Sequence, residues 1–146
     1  MLKNDTLDNY LKHYDIEWAV KLPDDCPPQD ILVPENEKMY RLTINHDKVT
    51  EDDFKSYLEM FPDKKYNGNL KIMAAGLSLI STDEPQNITF PMMKKFNGIA
   101  ELTLNPEDGV LQQTGRNPEH YTWWRTKTFD INKAKIINNE KDTENK

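Results

Sequence analysis

The residue types best suited to chemistry are concentrated in one short segment near the carboxyl end. The seven residues 119–125, Glu-His-Tyr-Thr-Trp-Trp-Arg, hold two of the three tryptophans and one of the three histidines of the 146-residue chain. A histidine can transfer protons near neutral pH, and an indole ring offers an apolar wall that stacks on a ligand. The segment is therefore either the aromatic floor of a binding site or a heavily packed part of the core.

The alternation of side chains along a strand separates the two candidate catalytic residues, Glu119 and His120. Neighbouring positions of a strand point to opposite faces, so these two side chains cannot both face one regular pocket. In a functional interpretation, His120 donates a hydrogen bond or transfers a proton, and Trp124 forms an apolar wall. In a purely structural interpretation, one tryptophan lies in the core, the other is half exposed, and His120 is an ordinary residue at a strand end.

The sequence contains no complete motif for a metal site, a nucleotide-binding loop or a nucleophile elbow. The three histidines and Cys26 are spaced too far apart for a zinc site, and the five glycines form neither a P-loop nor a dinucleotide-binding fingerprint. Gly76-Leu77-Ser78 begins like a nucleophile elbow but lacks the second glycine. The sequence therefore predicts no metal site, and it offers Ser78 only as a weak nucleophile.

Composition limits the class of protein and its partners. The net charge of −6 leaves little association energy from counterion release, so nucleic acid is not an expected partner. No apolar run approaches the roughly 18 residues of a membrane span, so a membrane is not expected either. The single cysteine cannot form an internal disulfide and fits a reducing compartment. We expect a cytoplasmic protein.

Hydrophobic spacing predicts two helices. The first begins after Thr6 or Asp5 and is marked by apolar residues at Leu7, Tyr10, Leu11 and Tyr14. The second begins at the cap Thr50, carries three acidic residues in its first turn, and ends before Pro62. Its apolar positions are Phe54, Tyr57, Leu58 and Phe61.

Strands are predicted over 39–44, 76–82, 98–104, 110–113 and 121–125, with the 105–109 turn making the third and fourth a hairpin. The fold class is α+β: a single domain with a mostly antiparallel sheet of about five strands and two or three helices. Residues 1–37 are predicted to form an N-terminal helix and a proline-bearing arm, 38–131 the core domain, and 132–146 a polar tail that is disordered from 138.

Several short pieces resemble the pattern of a family of small, functionally uncharacterised bacterial proteins. The resemblance covers about 40–124 and implies no activity. The pieces are Tyr40-Arg41-Leu42, Asp53-Phe54-Lys55-Ser56, Ala75-Gly76-Leu77-Ser78, Gly98-Ile99-Ala100 and His120-Tyr121-Thr122-Trp123-Trp124.

More distantly, the order of parts is similar to that of the ADP-ribosyltransferase superfamily, whose members split NAD, although the serine-threonine-serine triplet is absent. This resemblance implies that Arg41, on an early strand, and Ser78 or the Ser81-Thr82 pair, on a middle strand, line a cofactor site. It also implies a late-strand role for Glu119 or His120.

Two functions from different classes follow. The first is a small binding or accessory module that uses no cofactor. It recognises another protein through an aromatic surface, because Trp, Tyr and Arg most often anchor interfaces. That surface consists of Tyr121, Trp123, Trp124 and Arg125. The alternative is an NAD-dependent ADP-ribosyltransferase-like enzyme, or an inactive relative. A plain structural protein is the third reading.

Overall fold

Eight strands in one sheet and three short helices make up the chain in the computed structural model, which describes residues 1–90 and 96–137. The tail 138–146 for which we predicted disorder lies outside the described residues. The strands are β1 Leu2–Thr6, β2 Asp30–Pro34, β3 Glu37–Thr43, β4 Leu77–Ile80, β5 Gly98–Leu104, β6 Gly109–Gln113, β7 His120–Arg125 and β8 Lys135–Ile137. The helices are α1 Leu7–His13, α2 Tyr57–Met60 and α3 Asn69–Ala74.

The predicted fold class was wrong in the number of strands. The sheet has eight strands in the order β1-β2-β6-β7-β4-β3-β5-β8, and every neighbouring pair is antiparallel. Three strands were missed: β1 is mostly polar, β2 lies in the proline-bearing region, and β8 has only three residues. Both β1 and β2 lie within the predicted N-terminal helix and arm, residues 1–37, so part of that segment belongs to the sheet.

The short connection between β2 and β3 forces the sheet to roll. Four strand spacings separate these strands in the sheet order, which would be about 19 Å in a flat sheet. From Pro34 to Glu37 the chain takes three Cα steps, which reach at most about 11 Å. β2 and β3 also run in the same direction, so they form one long strand that bends at Glu35 and Asn36. Asn36 has a φ of 50°, and its backbone N–H donates to Oδ1 of Asn105 at 3.1 Å.

The second long strand is formed by β5 and β6, which contradicts the predicted hairpin. β5 pairs with β3 over its full length, whereas β6 pairs with β2 and β7. A single 3-10 turn at Pro106–Asp108 joins them, closed by a capping box between Asn105 and Asp108. This turn redirects the chain instead of reversing it, so β5 and β6 follow the bend of β2 and β3.

Polar side-chain caps set where two of the three helices begin. α1 begins as predicted, with the Thr6 side chain accepting from the N–H of Asn9 at 3.2 Å. The second predicted helix was wrong: Glu51–Phe54 is a 3-10 turn, Lys55 is extended, and Ser56 caps a separate helix α2 with Glu59. Among the described residues, no helix is long and apolar enough to cross a membrane.

Rolling the sheet produces an inner core and an outer core. The inner core includes Trp123, Leu79, Met39 and Phe54, and residues from both edge strands, β1 and β8, pack against it. The outer core lies where α1 covers the other face of the sheet, and its buried members are Leu7, Tyr10, Ile31, Val33, Ala75, Val110 and Trp124. Both faces of the sheet are therefore buried at β7.

Close backbone packing at Gly109 gives a test of this arrangement. Its φ is 129°, and an added Cβ would lie 2.1 Å from the carbonyl oxygen of Trp124. We expect Gly109→Ala to lower the free energy of unfolding by about 3 kcal/mol, from unfavourable backbone conformation and overpacking together. Urea denaturation measures the change.

Gly115→Ala is the matched control, because Gly115 also has a positive φ of 75° but its added Cβ would meet nothing closer than 3.9 Å. It should cost only about 1 kcal/mol. Equal effects of the two substitutions would contradict the close packing at Gly109.

Candidate functional site

The two tryptophans that dominate the sequence lie entirely inside the protein. Trp123 and Trp124 are both 0% exposed. The indole N–H of Trp123 donates to the carbonyl of Asp108 at 3.1 Å, and that of Trp124 donates to the carbonyl of Ile72 at 3.0 Å. The predicted exposure of one indole was therefore wrong, because β7 is the strand at which both faces of the sheet are covered.

The candidate catalytic residues lie near the β6–β7 hairpin. His120 is partly buried, and its Nδ1 lies 3.0 Å from the hydroxyl of Thr114, which in turn lies 2.8 Å from that of Thr122. Glu119 is exposed, and its backbone carbonyl accepts from the N–H of Ser81 at 2.8 Å. These contacts hold the end of the hairpin together.

The candidate cofactor-binding residues Arg41 and Ser78 do meet, but through the backbone of Ser78. Nη1 of Arg41 donates to the carbonyl of Ser78 at 2.8 Å, and Nε donates to the carbonyl of Asp53. Burial lowers the pKa of Arg41 to about 10, with the nearby Asp53 opposing this effect, so the guanidinium stays charged at neutral pH. Two of its donors tie the 3-10 turn 51–54 to β4.

The Ser78 side chain lies on the exposed face of β4, opposite the buried Leu77 and Leu79. The expectation of NAD binding at Arg41 and Ser78 stays a prediction.

Arg125, the last residue of β7, lies close to Phe54. Its guanidinium carbon is 5.7 Å from the centroid of the Phe54 ring, and that of Arg41 is 6.0 Å from the same centroid. The Phe54 ring in turn packs edge-on against Trp123 and contacts Phe129. A ring face attracts a cation, so Phe54 positions both guanidinium groups at the end of the inner core.

A cleft of about 820 Å³ opens beside Arg125, between residues 49–59 and residues 127–132. Phe54 and Phe129 lie at its base and are nearly buried, at 2% and 5% exposure. Val49 and Ile131 also line it and remain partly exposed. A cleft of this volume is large enough for a small ligand or a short peptide segment.

The charged side chains of the cleft balance in number but differ in their partners. Lys55 pairs with Asp52 at 2.9 Å, and Lys127 pairs with Glu17 at 3.0 Å. The side chain of Glu59 accepts from the backbone N–H of Ser56 at 2.7 Å. Three acidic and three basic residues line the cleft: Glu51, Glu59 and Asp130, with Lys55, Arg125 and Lys127.

Arg125 differs from the other two basic residues, Lys55 and Lys127, because its guanidinium makes neither a hydrogen bond nor an ion pair within residues 1–90 and 96–137. Burial lowers its pKa, and the nearby Glu59 and Glu51 oppose that effect without reaching ion-pair distance. A guanidinium carries five N–H donors in a fixed plane. These donors are available for a group that accepts several hydrogen bonds.

Metal chemistry has no support at this site. In the described part of the chain, no three His, Cys, Asp or Glu side chains are grouped so that they could hold a metal ion. The arrangement suits binding by shape and by hydrogen bonds from Arg125.

Of the residues proposed from the sequence, Arg125 is the one that lines the cleft. Tyr121, the other partner-binding candidate, is partly buried and packs against the inner core. Sequence reasoning missed the roles of Phe54 and Phe129. Phe54 was assigned only to a helix stripe, and nothing local indicates that residues 49–59 meet residues 125–132.

Comparison of the chain with family models, curated proteins and solved structures finds no match. The two resemblances drawn from the sequence therefore stay predictions.

Burial of the indoles predicts a structural role for both tryptophans. We expect Trp123→Ala and Trp124→Ala each to lower the free energy of unfolding by about 3–5 kcal/mol, because each leaves a large cavity in the core and removes the hydrogen bond of the indole N–H. Phe61→Ala is the matched control, since Phe61 is 52% exposed. It should change stability by less than about 1 kcal/mol. Tryptophan variants as stable as the Phe61 variant would contradict the burial.

Proposed function

We propose that this protein is a binding module that holds a segment of another protein in the cleft between residues 49–59 and 127–132. The observation that carries the proposal is the cleft itself, about 820 Å³ in volume, whose wall includes the Arg125 guanidinium, a group with no ion-pair or hydrogen-bond partner among the described residues. The proposal keeps the function expected from the sequence. It moves the recognition surface from the indoles to the cleft.

The surroundings of the cleft support a protein as the partner. α2 contributes Glu59 to the cleft and also carries Met60, which is 45% exposed, and Phe61 follows it directly. Tyr57 and Phe61 stack, with their ring centroids 6.4 Å apart. Exposed aromatic and methionine side chains beside a cleft with a polar rim are typical of interfaces between proteins.

The opposed charges around the cleft argue against a polyanion such as nucleic acid. The acidic residues at 51, 59 and 130 would repel successive phosphates as strongly as the basic residues attract them. A partner that presents few charges avoids this repulsion. A protein segment meets that condition.

Filling the cleft should abolish partner binding. Thr128 lines the cleft and is exposed, so we expect Thr128→Trp to block it without disturbing the core. Affinity capture from cells of the source organism, quantified by mass spectrometry, should show proteins that the unchanged chain retains and Thr128→Trp loses.

Thr103→Trp is the matched control, because Thr103 is exposed on β5 and lies outside the cleft. It should retain the same proteins as the unchanged chain. Retention of the same proteins by Thr128→Trp would refute the cleft as the binding site. If the partner is lost by Met60→Ser or Phe61→Ser but retained by Thr128→Trp, the partner binds the exposed side of α2 and not the cleft.

A further inference from the structure

The strongest unexplained feature of the cleft is Arg125, whose guanidinium donates a hydrogen bond to no group among residues 1–90 and 96–137. The Arg125 guanidinium is partly buried, its carbon lies 5.7 Å from the Phe54 ring centroid, and no described residue accepts a hydrogen bond from it. In the described part of the chain no side-chain nitrogen or oxygen is both buried and without a hydrogen-bond partner, so the Arg125 nitrogens that lack a protein acceptor are open to solvent beside the cleft. The geometry thus leaves a binding position for an anion or another acceptor.

Arg41 provides a comparison within the same protein, because its guanidinium does have hydrogen-bond acceptors. It lies against the same Phe54 ring, yet it donates to two backbone carbonyls. The two cations also act on each other, since the positive charge of Arg125 contributes to the lowered pKa of Arg41. An anion beside Arg125 would relieve this repulsion as well as accept its hydrogen bonds.

The rest of the lining restricts the anion to a single charge. Lys55 and Lys127 already have carboxylate partners, so Arg125 is the cation left to neutralise a ligand. Glu51 and Glu59 lie close enough to affect the pKa of Arg125 and would repel a dianion more than a monoanion. A carboxylate matches the planar fork of a guanidinium with two parallel hydrogen bonds.

The apolar part of the cleft defines what should accompany the carboxylate. Val49 and Ile131 are its partly exposed apolar side chains, whereas Phe54 and Phe129 are already nearly buried. An aliphatic side chain on the ligand would bury the exposed surface of Val49 and Ile131. A carboxylate with an adjacent aliphatic side chain therefore fits both features.

We propose that the cleft selects a segment that presents one carboxylate next to an aliphatic side chain, with Arg125 as the anchor for the carboxylate. This inference rests on the proposed function and names the chemistry of the segment that the cleft accepts.

The test compares two probes that differ only in their terminal group, a carboxylate in N-acetyl-leucine and a neutral carboxamide in N-acetyl-leucinamide. Titration of isotope-labelled protein, followed by backbone amide shifts in NMR spectra, should show N-acetyl-leucine binding at millimolar concentrations with shifts confined to residues 49–59 and 125–132. The amide should bind at least about tenfold more weakly, the loss expected when charge-assisted hydrogen bonds are removed.

Arg125→Gln should remove this discrimination, so that both probes bind as weakly as the amide does to the unchanged protein. Arg116→Gln is the matched control: Arg116 is exposed in the β6–β7 loop, outside the cleft, and its loss should leave the tenfold preference intact. Thermal melting of both variants verifies that they fold. The comparison of the two probes on the unchanged protein needs no variant and stands if Arg125→Gln does not fold.

Several results would overturn the inference. Equal affinities of N-acetyl-leucine and N-acetyl-leucinamide for the cleft would show that Arg125 does not select a carboxylate, although the cleft would still be a binding site. Tighter binding of N-acetyl-aspartate than of N-acetyl-leucine would show that the site prefers a dianion. Shifts outside the cleft, or none at all, would place the recognition elsewhere. The proposed function fails separately, through retention of partners by Thr128→Trp.

Discussion

The two-residue connection between β2 and β3 is the constraint on which the rest of the structure depends. Because it joins strands that lie four places apart in the sheet, the sheet has to roll, and β2 with β3 and β5 with β6 become two long bent strands. Rolling places Trp123, Leu79 and Met39 on the inside. On the outer face of β7, Trp124 lies in one cluster with residues of α1 and donates to the carbonyl of Ile72 in α3. An eight-stranded sheet thus obtains two cores from a chain that is only 36% hydrophobic.

The inner core and the cleft share two side chains, those of Phe54 and Phe129. Phe54 packs against Trp123 and Phe129, and the same ring lies within 6.0 Å of the guanidinium carbons of Arg41 and Arg125. One guanidinium is used by the fold, since Arg41 binds two carbonyls. The other faces the cleft with its donors unused by any described residue. The division of roles between two arginines on one ring is the physical basis of the proposed binding site.

Local chemistry made some of this predictable from the sequence. The cap at Thr6 and the spacing of Leu7 and Tyr10 predicted α1 because both act within one helical turn. Local patterns also misled: the apolar spacing after Thr50 predicted one helix, but Ser56 forms its own capping box with Glu59 and divides it. β1 was missed because its sequence is polar, and its place in the sheet comes from pairing with β2.

The candidate site was less predictable, because it depends on contacts between distant segments. Trp123 and Trp124 were expected to be partly exposed, whereas coverage of both faces of β7 follows from the roll and from the position of α1. Arg125 was selected for its residue type, and its cleft needs residues 49–59, which pack beside it only in the folded chain.

The central claim is that the Arg125 guanidinium binds the carboxylate of a ligand. NMR observation of the arginine side-chain Nε–Hε groups tests this claim most directly. On addition of N-acetyl-leucine, the Arg125 signal should move, while that of Arg41, whose Nε already donates to Asp53, should stay in place; N-acetyl-leucinamide should move neither. An Arg125 signal that stays fixed while the probe occupies the cleft would contradict the account.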